Sequence, residues 1–112
     1  MNNLRNKVQL IGNLGADPEI KELKEGKKIA RFSLATTDHY KDKDGNKKSN
    51  TEWHTVVAWN KTAEIVEKYL SKGKEVLIDG KLTYRSWEDK DGNKKYITEI
   101  VVNELMMLGK KS

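Results

Sequence analysis

Residues 51–59 constrain the fold of this chain more than any other stretch, because they form the pattern of a strand with two different faces. Their β-branched and aromatic side chains favour a strand, and successive strand side chains point to opposite sides. One side carries the odd positions Trp53, Thr55, Val57 and Trp59. The other side carries the even positions His54, Val56 and Ala58. We therefore predict that Val56 and Ala58 close a core, and that the aromatic face is available to a partner.

Composition limits the classes of protein to which this chain can belong. Its 112 residues suffice for one domain, which we place at residues 1–109, with a basic stub at 110–112. The absence of cysteine and the presence of only two histidines argue against disulfides, thiol catalysis, a metal site or another cofactor. No apolar run approaches the roughly 20 residues of a membrane span. The start has no signal-peptide core, so the expected compartment is the cytoplasm.

Apolar alternation predicts four further strands, at residues 7–13, 29–37, 74–87 and 96–103, with a possible short strand arm at 19–24. Helical spacing of apolar residues predicts one helix at 60–73, capped by Asn60 or Thr62 and terminated by Gly73. Five strands with a helix between the third and fourth form the OB-fold, an all-β Greek-key barrel. A β-sandwich is the alternative, although it normally lacks such a helix. In the barrel, Val66, Tyr69 and Leu70 would cover Phe32, Leu34 and Ile78.

The chain contains an internal repeat, because residues 42–48 and 89–95 both read Asp-Lys-Asp-Gly-Asn-Lys-Lys. A calcium loop is excluded, since the EF-hand glycine belongs at the sixth position and the closing glutamate is missing. The Asp-Gly pairs instead predict the tips of two hairpins within charged loops at 41–50 and 88–95. The lysines of these tips could in addition flank a phosphate backbone, and the two interpretations are compatible.

A series of short sequence motifs occurs in order along essentially the whole chain. They are Asn6-Lys7-Val8, Ile11-Gly12-Asn13-Leu14-Gly15, Asp17-Pro18, Leu34-Ala35-Thr36, Thr51-Glu52-Trp53-His54, Val56-Val57, Tyr69-Leu70, Lys72-Gly73, Gly80-Lys81-Leu82, Trp87, Glu99, Val101-Val102-Asn103 and Met107-Leu108-Gly109. With these motifs the chain resembles the bacterial single-stranded DNA-binding protein family. The resemblance implies an OB-fold that assembles as a homotetramer and binds and protects single-stranded DNA in replication, recombination and repair.

The chain departs from the family pattern in three places. Tyr40 stands where the family often has tryptophan, and Trp59 where it often has phenylalanine, so both positions stay aromatic. The family commonly ends in a flexible tail with an acidic tip that recruits replication and repair proteins, whereas this sequence stops at Ser112. The family also places the residue equivalent to His54 between subunits. By its place opposite Trp53, His54 is expected to be a core or interface histidine with one hydrogen bond rather than a metal ligand, and the resemblance implies the interface.

Binding a single strand of any sequence requires flat rings that stack on bases and cations that follow the phosphates. The candidate stacking residues are Tyr40, Trp53, Trp59 and Trp87. Core packing is the alternative for each ring, but Trp87 alternates with Arg85 and Lys81, which a core face would not usually carry. The candidate phosphate contacts are Lys7, Arg31, Lys48, Lys61, Lys72, Lys81 and Arg85, and ordinary solvated surface is the alternative for each.

Two rival functions differ in the partner of the aromatic face. An RNA-binding OB module would stack bases equally well, since only contacts to the 2′-hydroxyl separate RNA from DNA. A protein-assembly domain would dock a protein there. An enzyme is not expected, because the acidic residues are scattered in loops with lysine neighbours and do not cluster around a metal as in a nuclease.

Overall fold

The computed structural model describes residues 3–109, and the predicted stub at 110–112 lies outside them. The strands are β1 (Val8–Leu14), β2 (Glu19–Glu22), β3 (Lys28–Lys41), β4 (Lys47–Trp59), β5 (Glu75–Glu88) and β6 (Lys94–Met107). One α-helix, α1 (Asn60–Tyr69), lies between β4 and β5. Two short 3-10 turns, Asn3–Arg5 and Lys24–Gly26, precede β1 and β3. The short strand arm predicted at 19–24 is therefore confirmed as β2.

Five of the strands close into a barrel in the order β1-β5-β6-β4-β3-β1. The closing contact is short and pairs Asn13 with Ala35 and Leu14 with Leu34. Strands β4 and β6 are parallel, whereas the other pairs are antiparallel. Strand β2 pairs with β3 alone and lies outside the barrel. This topology, with the helix after the third barrel strand, confirms the predicted OB-fold.

The core lies where alternation predicts it. Ala30, Phe32 and Leu34 of β3 are buried against Val56 and Ala58 of β4. Val76 and Ile78 of β5 and Ile100 and Val102 of β6 complete the same cluster. The predicted inner faces are therefore confirmed, because a strand with one apolar side can bury that side only toward the barrel axis.

The helix packs on this core, but its predicted details need three corrections. Val66 and Leu70 are buried as expected, whereas Tyr69 is half-exposed and Ala63 takes the third core position. Positions 63, 66 and 70 form one apolar stripe, from which position 69 is rotated away. Neither Asn60 nor Thr62 caps the helix. Asn60 has a φ of 52° and its Oδ1 accepts a hydrogen bond from Lys28 N instead.

Gly73 is likewise not the helix terminator. The helix ends at Tyr69, and the Leu70 N–H donates to the carbonyl of Val66 at 3.0 Å. Gly73 lies in the turn that leads into β5, where its N–H donates to the carbonyl of Leu14 at 2.9 Å. The contact with β1 therefore determines the conformation of this segment, and helix propensity does not.

Two hairpin arms extend from one end of the barrel, and they are longer than predicted. The β3–β4 arm is paired as far as Lys41 opposite Lys47. The β5–β6 arm is paired as far as Glu88 opposite Lys94. Because β4 and β6 run parallel and begin at the two tips, both arms project in the same direction. The charged loops thus shrink to residues 42–46 and 89–93.

The repeated heptapeptide forms the same turn at both tips, which confirms the hairpin interpretation. In the first tip, Asp42 Oδ1 accepts hydrogen bonds from the backbone N–H groups of Asp44 and Asn46, both at 2.9 Å. In the second, Asp89 Oδ1 accepts the equivalent bonds at 3.0 and 2.9 Å. The glycine of each tip, Gly45 or Gly92, has a φ of 81°, which glycine adopts without a steric penalty.

Candidate nucleic-acid interface

One outer face of the barrel carries most of the predicted site. The strand register places Trp53 and Trp59 of β4 on the same side as Trp87 of β5. Three predicted cations, Arg31, Lys81 and Arg85, lie on that side too. We call this surface the aromatic face. It forms because the odd positions of β3, β4 and β5, and those of β6 as far as Val101, point away from the barrel axis.

The indole rings of this face are accessible. Trp53, Trp59 and Trp87 are 63%, 42% and 45% exposed. Large aromatic side chains usually contribute to a core, and rings so exposed on one sheet face offer contact area to a ligand. The guanidinium carbon of Arg85 lies 5.7 Å from the centre of the Trp87 ring, within cation–π range.

The orientation of Trp53 depends on a glycine in the loop after β1. A Cβ atom added to Gly15 would lie 2.4 Å from Cζ3 of the Trp53 ring. The Gly15 N–H donates to the Ser33 carbonyl at 3.1 Å, which holds the loop against β3. The indole therefore approaches the chain at a position where any residue other than glycine would collide with it, and most of the ring stays open to solvent.

A buried carboxylate connects two arginines of the aromatic face. Glu99 of β6 accepts hydrogen bonds from Arg85 Nε at 2.9 Å and Arg85 Nη2 at 3.1 Å. Its Oε2 also lies 3.0 Å from Arg31 Nη2, which reaches across β4 to contact it. The hydrogen bond from Arg85 is the main cause that lowers the pKa of Glu99, and Arg31 adds to it. Glu99 is therefore ionised at neutral pH.

Tyr40 and Lys48, at the tip of the first arm, do not join the aromatic face. Tyr40 pairs with Lys48, and alternation places both on the side of the β3–β4 arm opposite to Trp53. They line a shallow groove with His39, Lys41 and Lys47 near the tip. Tyr40 is exposed, so a ring is available there, but on another surface of the arm.

The remaining predicted cations are spread over other parts of the surface. Lys7 forms an ion pair with Asp79 at 3.2 Å, beside β5. Lys61 is exposed at the start of α1, in a groove with Glu64 and Tyr69. Lys72 is exposed in the turn before β5, where its backbone N–H donates to Asp17 Oδ1 at 2.8 Å. No contact in the structure tests their predicted role with phosphates.

His54 lies on the core-side face of β4 and is partly buried. Its Nε2 forms a 3.0 Å hydrogen bond with Thr36 Oγ1, as the single-bond interpretation predicts. Within residues 3–109, no group of three or more His, Cys, Asp or Glu side chains is arranged to hold a metal ion. The place of His54 in an oligomer interface stays a prediction.

Sequence reasoning missed the roles of Glu99 and Gly15. A single acid in a strand of β-branched residues was the available signal for Glu99, since it shares an outward face with the arginine-bearing strand β5. Gly15 offered no comparable signal, because its contact with Trp53 joins two distant parts of the chain.

None of the helices in the described part of the chain is long and apolar enough to span a membrane.

Comparisons with known proteins agree with this geometry. The Single-strand binding protein family model matches residues 5–108. The chain is 54% identical over 107 residues to "Single-stranded DNA-binding protein 1" of Xylella fastidiosa, covering 95% of this chain and 79% of the relative. It is 52% identical over 107 residues to "Single-stranded DNA-binding protein 1" of Chlorobaculum tepidum, covering 95% of this chain and 66% of that protein. The chain thus spans about two thirds of the second relative.

A solved structure shares the same architecture. The structure described as "Plasmodium falciparum SSB complex with ssDNA" superposes with a TM-score of 0.82 and 40% sequence identity. The superposition covers 93% of this chain and 95% of the other. Because the family match extends over nearly the whole chain and the barrel matches as well, this chain belongs to the single-strand binding protein family.

Proposed function

We propose that this protein binds single-stranded DNA without sequence preference, through base stacking on the aromatic face and lysine contacts to phosphates. The observation that carries the proposal is the exposure of Trp53, Trp59 and Trp87 on one outer face of the barrel. Every base has a π-face, so these rings accept any sequence, and each stacked base contributes about 1–3 kcal/mol. Relatives named as single-stranded DNA-binding proteins support the choice of ligand.

Cations around this face supply the sequence-independent attraction. Lys81 lies on the aromatic face itself, Lys48 near the tip of the first arm on its other side, and Lys61 on the helix that follows Trp59. Lys7 and Lys72 extend the basic surface away from the face. Each phosphate that these lysines neutralise should contribute about −0.7 to the slope of log affinity against log salt.

The proposed biological role is the protection of unpaired DNA during replication, recombination and repair. We infer that four copies assemble, with His54 at a subunit contact, and that the strand follows the aromatic faces of the assembly. The protein acts by binding and not by catalysis. It would work in the cytoplasm, where unpaired chromosomal DNA is exposed.

Tryptophan fluorescence gives a direct test, because the rings proposed to stack are the only tryptophans of the chain. Titration with poly(dT) should quench the emission strongly, and added salt should reverse it. Poly(rU) and duplex DNA serve as parallel titrations on the same sample. Equal or tighter binding of poly(rU) would favour the RNA-binding alternative. No quenching by any nucleic acid would leave the aromatic face to a protein partner and refute the proposal.

A further inference from the structure

Glu99 occupies a central place on the aromatic face. Strand β6 lies between β5, which carries Trp87, and β4, which carries Trp53 and Trp59. The Glu99 side chain is 6% exposed, and Glu99 is the buried charged residue of the part of the chain that the structure describes. A buried charge needs partners, and Arg85 and Arg31 supply them here.

The two arginines are held to different degrees. Arg85 uses Nε and Nη2 in a two-point contact with both carboxylate oxygens of Glu99. Arg31 makes one contact through Nη2, and its buried Nε has no hydrogen-bond partner among the described residues. Arg85 is therefore the more firmly held of the two, and its contact with the Trp87 ring fixes it further.

This arrangement affects what the arginines can offer to DNA. An arginine binds phosphate best with the same planar fork that it offers to a carboxylate. The Nε–Nη2 edge of the Arg85 guanidinium is already occupied, and withdrawing it would leave the buried Glu99 short of partners, which is strongly unfavourable. A mobile strand phosphate surrounded by water and counterions is a weaker competitor than a fixed, buried carboxylate.

We infer that Glu99 is a positioning residue that keeps Arg31 and Arg85 away from the phosphates and holds the Arg85 guanidinium against Trp87. Arg85 then adds its guanidinium plane to the stacking surface at Trp87, since guanidinium planes also stack on bases. Phosphate contacts are left to the lysines. This replaces the phosphate role that the sequence predicts for both arginines, and it rests on the proposed binding of single-stranded DNA.

The salt dependence of binding distinguishes these roles. Glu99→Gln keeps the shape of the side chain but removes the charge that retains the arginines. Glu88→Gln is the matched control, because Glu88 is exposed beside Trp87 and makes no ion pair among the described residues. Both variants raise the net charge equally. For Glu99→Gln, the slope of log affinity against log salt for poly(dT) should become steeper than in the control, by about 0.7 for each arginine released.

The inference is overturned if the Glu99→Gln slope equals that of Glu88→Gln or is shallower. Thermal melting shows whether Glu99→Gln is folded. If Glu99→Gln is unfolded, the Arg31→Gln variant provides the test, because Glu99 keeps its two-point contact with Arg85 in that variant. An unchanged slope for Arg31→Gln supports the inference, and a slope shallower by about 0.7 refutes it. Failure of the proposed function would look different, since the wild-type protein would then not bind poly(dT) at all.

Discussion

Replacement of Trp53 by alanine separates a stacking role from a structural one. The Trp53 side chain is 63% exposed, so only about a third of its surface is buried in the folded barrel, and its ring lies close to Gly15. Of the roughly 250 Å² that a tryptophan can bury, this is about 90 Å², worth at most about 2 kcal/mol of unfolding free energy. Replacing a tryptophan of the core by alanine would lower the unfolding free energy by about 3–5 kcal/mol. The variant should therefore stay folded with a moderately lower melting temperature.

The loss of DNA affinity should be larger than the loss of stability suggests. One stacked base is worth about 1–3 kcal/mol, which corresponds to about 5-fold to about 150-fold in the dissociation constant. Fluorescence anisotropy of a labelled oligo(dT), short enough for one subunit, measures this loss at fixed salt. Circular dichroism follows the fold independently of the removed fluorophore.

A matched control comes from the other side of the β5–β6 arm. Tyr84 is a strongly exposed ring, and alternation on β5 places it opposite to Trp87. Tyr84→Ala should leave affinity for the short oligonucleotide unchanged. The reasoning is refuted if Trp53→Ala binds as tightly as the wild type, or if it loses its cooperative melting transition.

Three further predictions follow from the same contacts. Gly15→Ala should turn the Trp53 ring aside, because the new methyl group would meet it at 2.4 Å. Affinity should fall toward that of Trp53→Ala, with a melting temperature lowered no more than in that variant, and wild-type affinity would contradict this. His54→Lys should shift the assembly to smaller species in light scattering, and an unchanged mass would remove His54 from the interface. The pKa of Glu99 is held below its ordinary value of 4.5, chiefly by Arg85, so its stabilising contribution is complete above that pH and is lost as the pH falls through the folded-state pKa. In acid, the melting temperature of Glu99→Gln should therefore fall less than that of the wild type, and parallel curves would show that Glu99 contributes nothing.

Much of the fold could be predicted because its signals are local. Alternation in residues 51–59 places Trp53 outward and Val56 inward without knowledge of any partner strand. The Asp-Gly pairs predict both hairpin tips for the same reason, since a turn is determined by a few adjacent residues. The order of strands and helix, together with the family resemblance, then leads to the barrel.

The errors occur where a second element decides. Tyr69 has a residue type suited to the core, yet the angle at which the helix meets the barrel buries Ala63 in its place. Asn60 is a good capping residue, but its side chain bonds to Lys28 on another strand. Tyr40 was grouped with the tryptophans because the family often has tryptophan at its position, and the strand predicted before it ended at residue 37; its stacking role stays a prediction. The longer arm shows that it lies on the opposite side.

Alternation along each strand is enough to tell which side chains face the core and which face outward, because the two-residue period of a strand is a property of the backbone alone. The contacts among the outward side chains, in contrast, depend on how the strands pair and close the barrel. Glu99 contacts Arg31 across an intervening strand. The Trp53 ring lies close to Gly15, which belongs to a loop far away in the sequence. Such contacts depend on strand register and barrel closure, which pairing between distant segments establishes and which no local pattern contains.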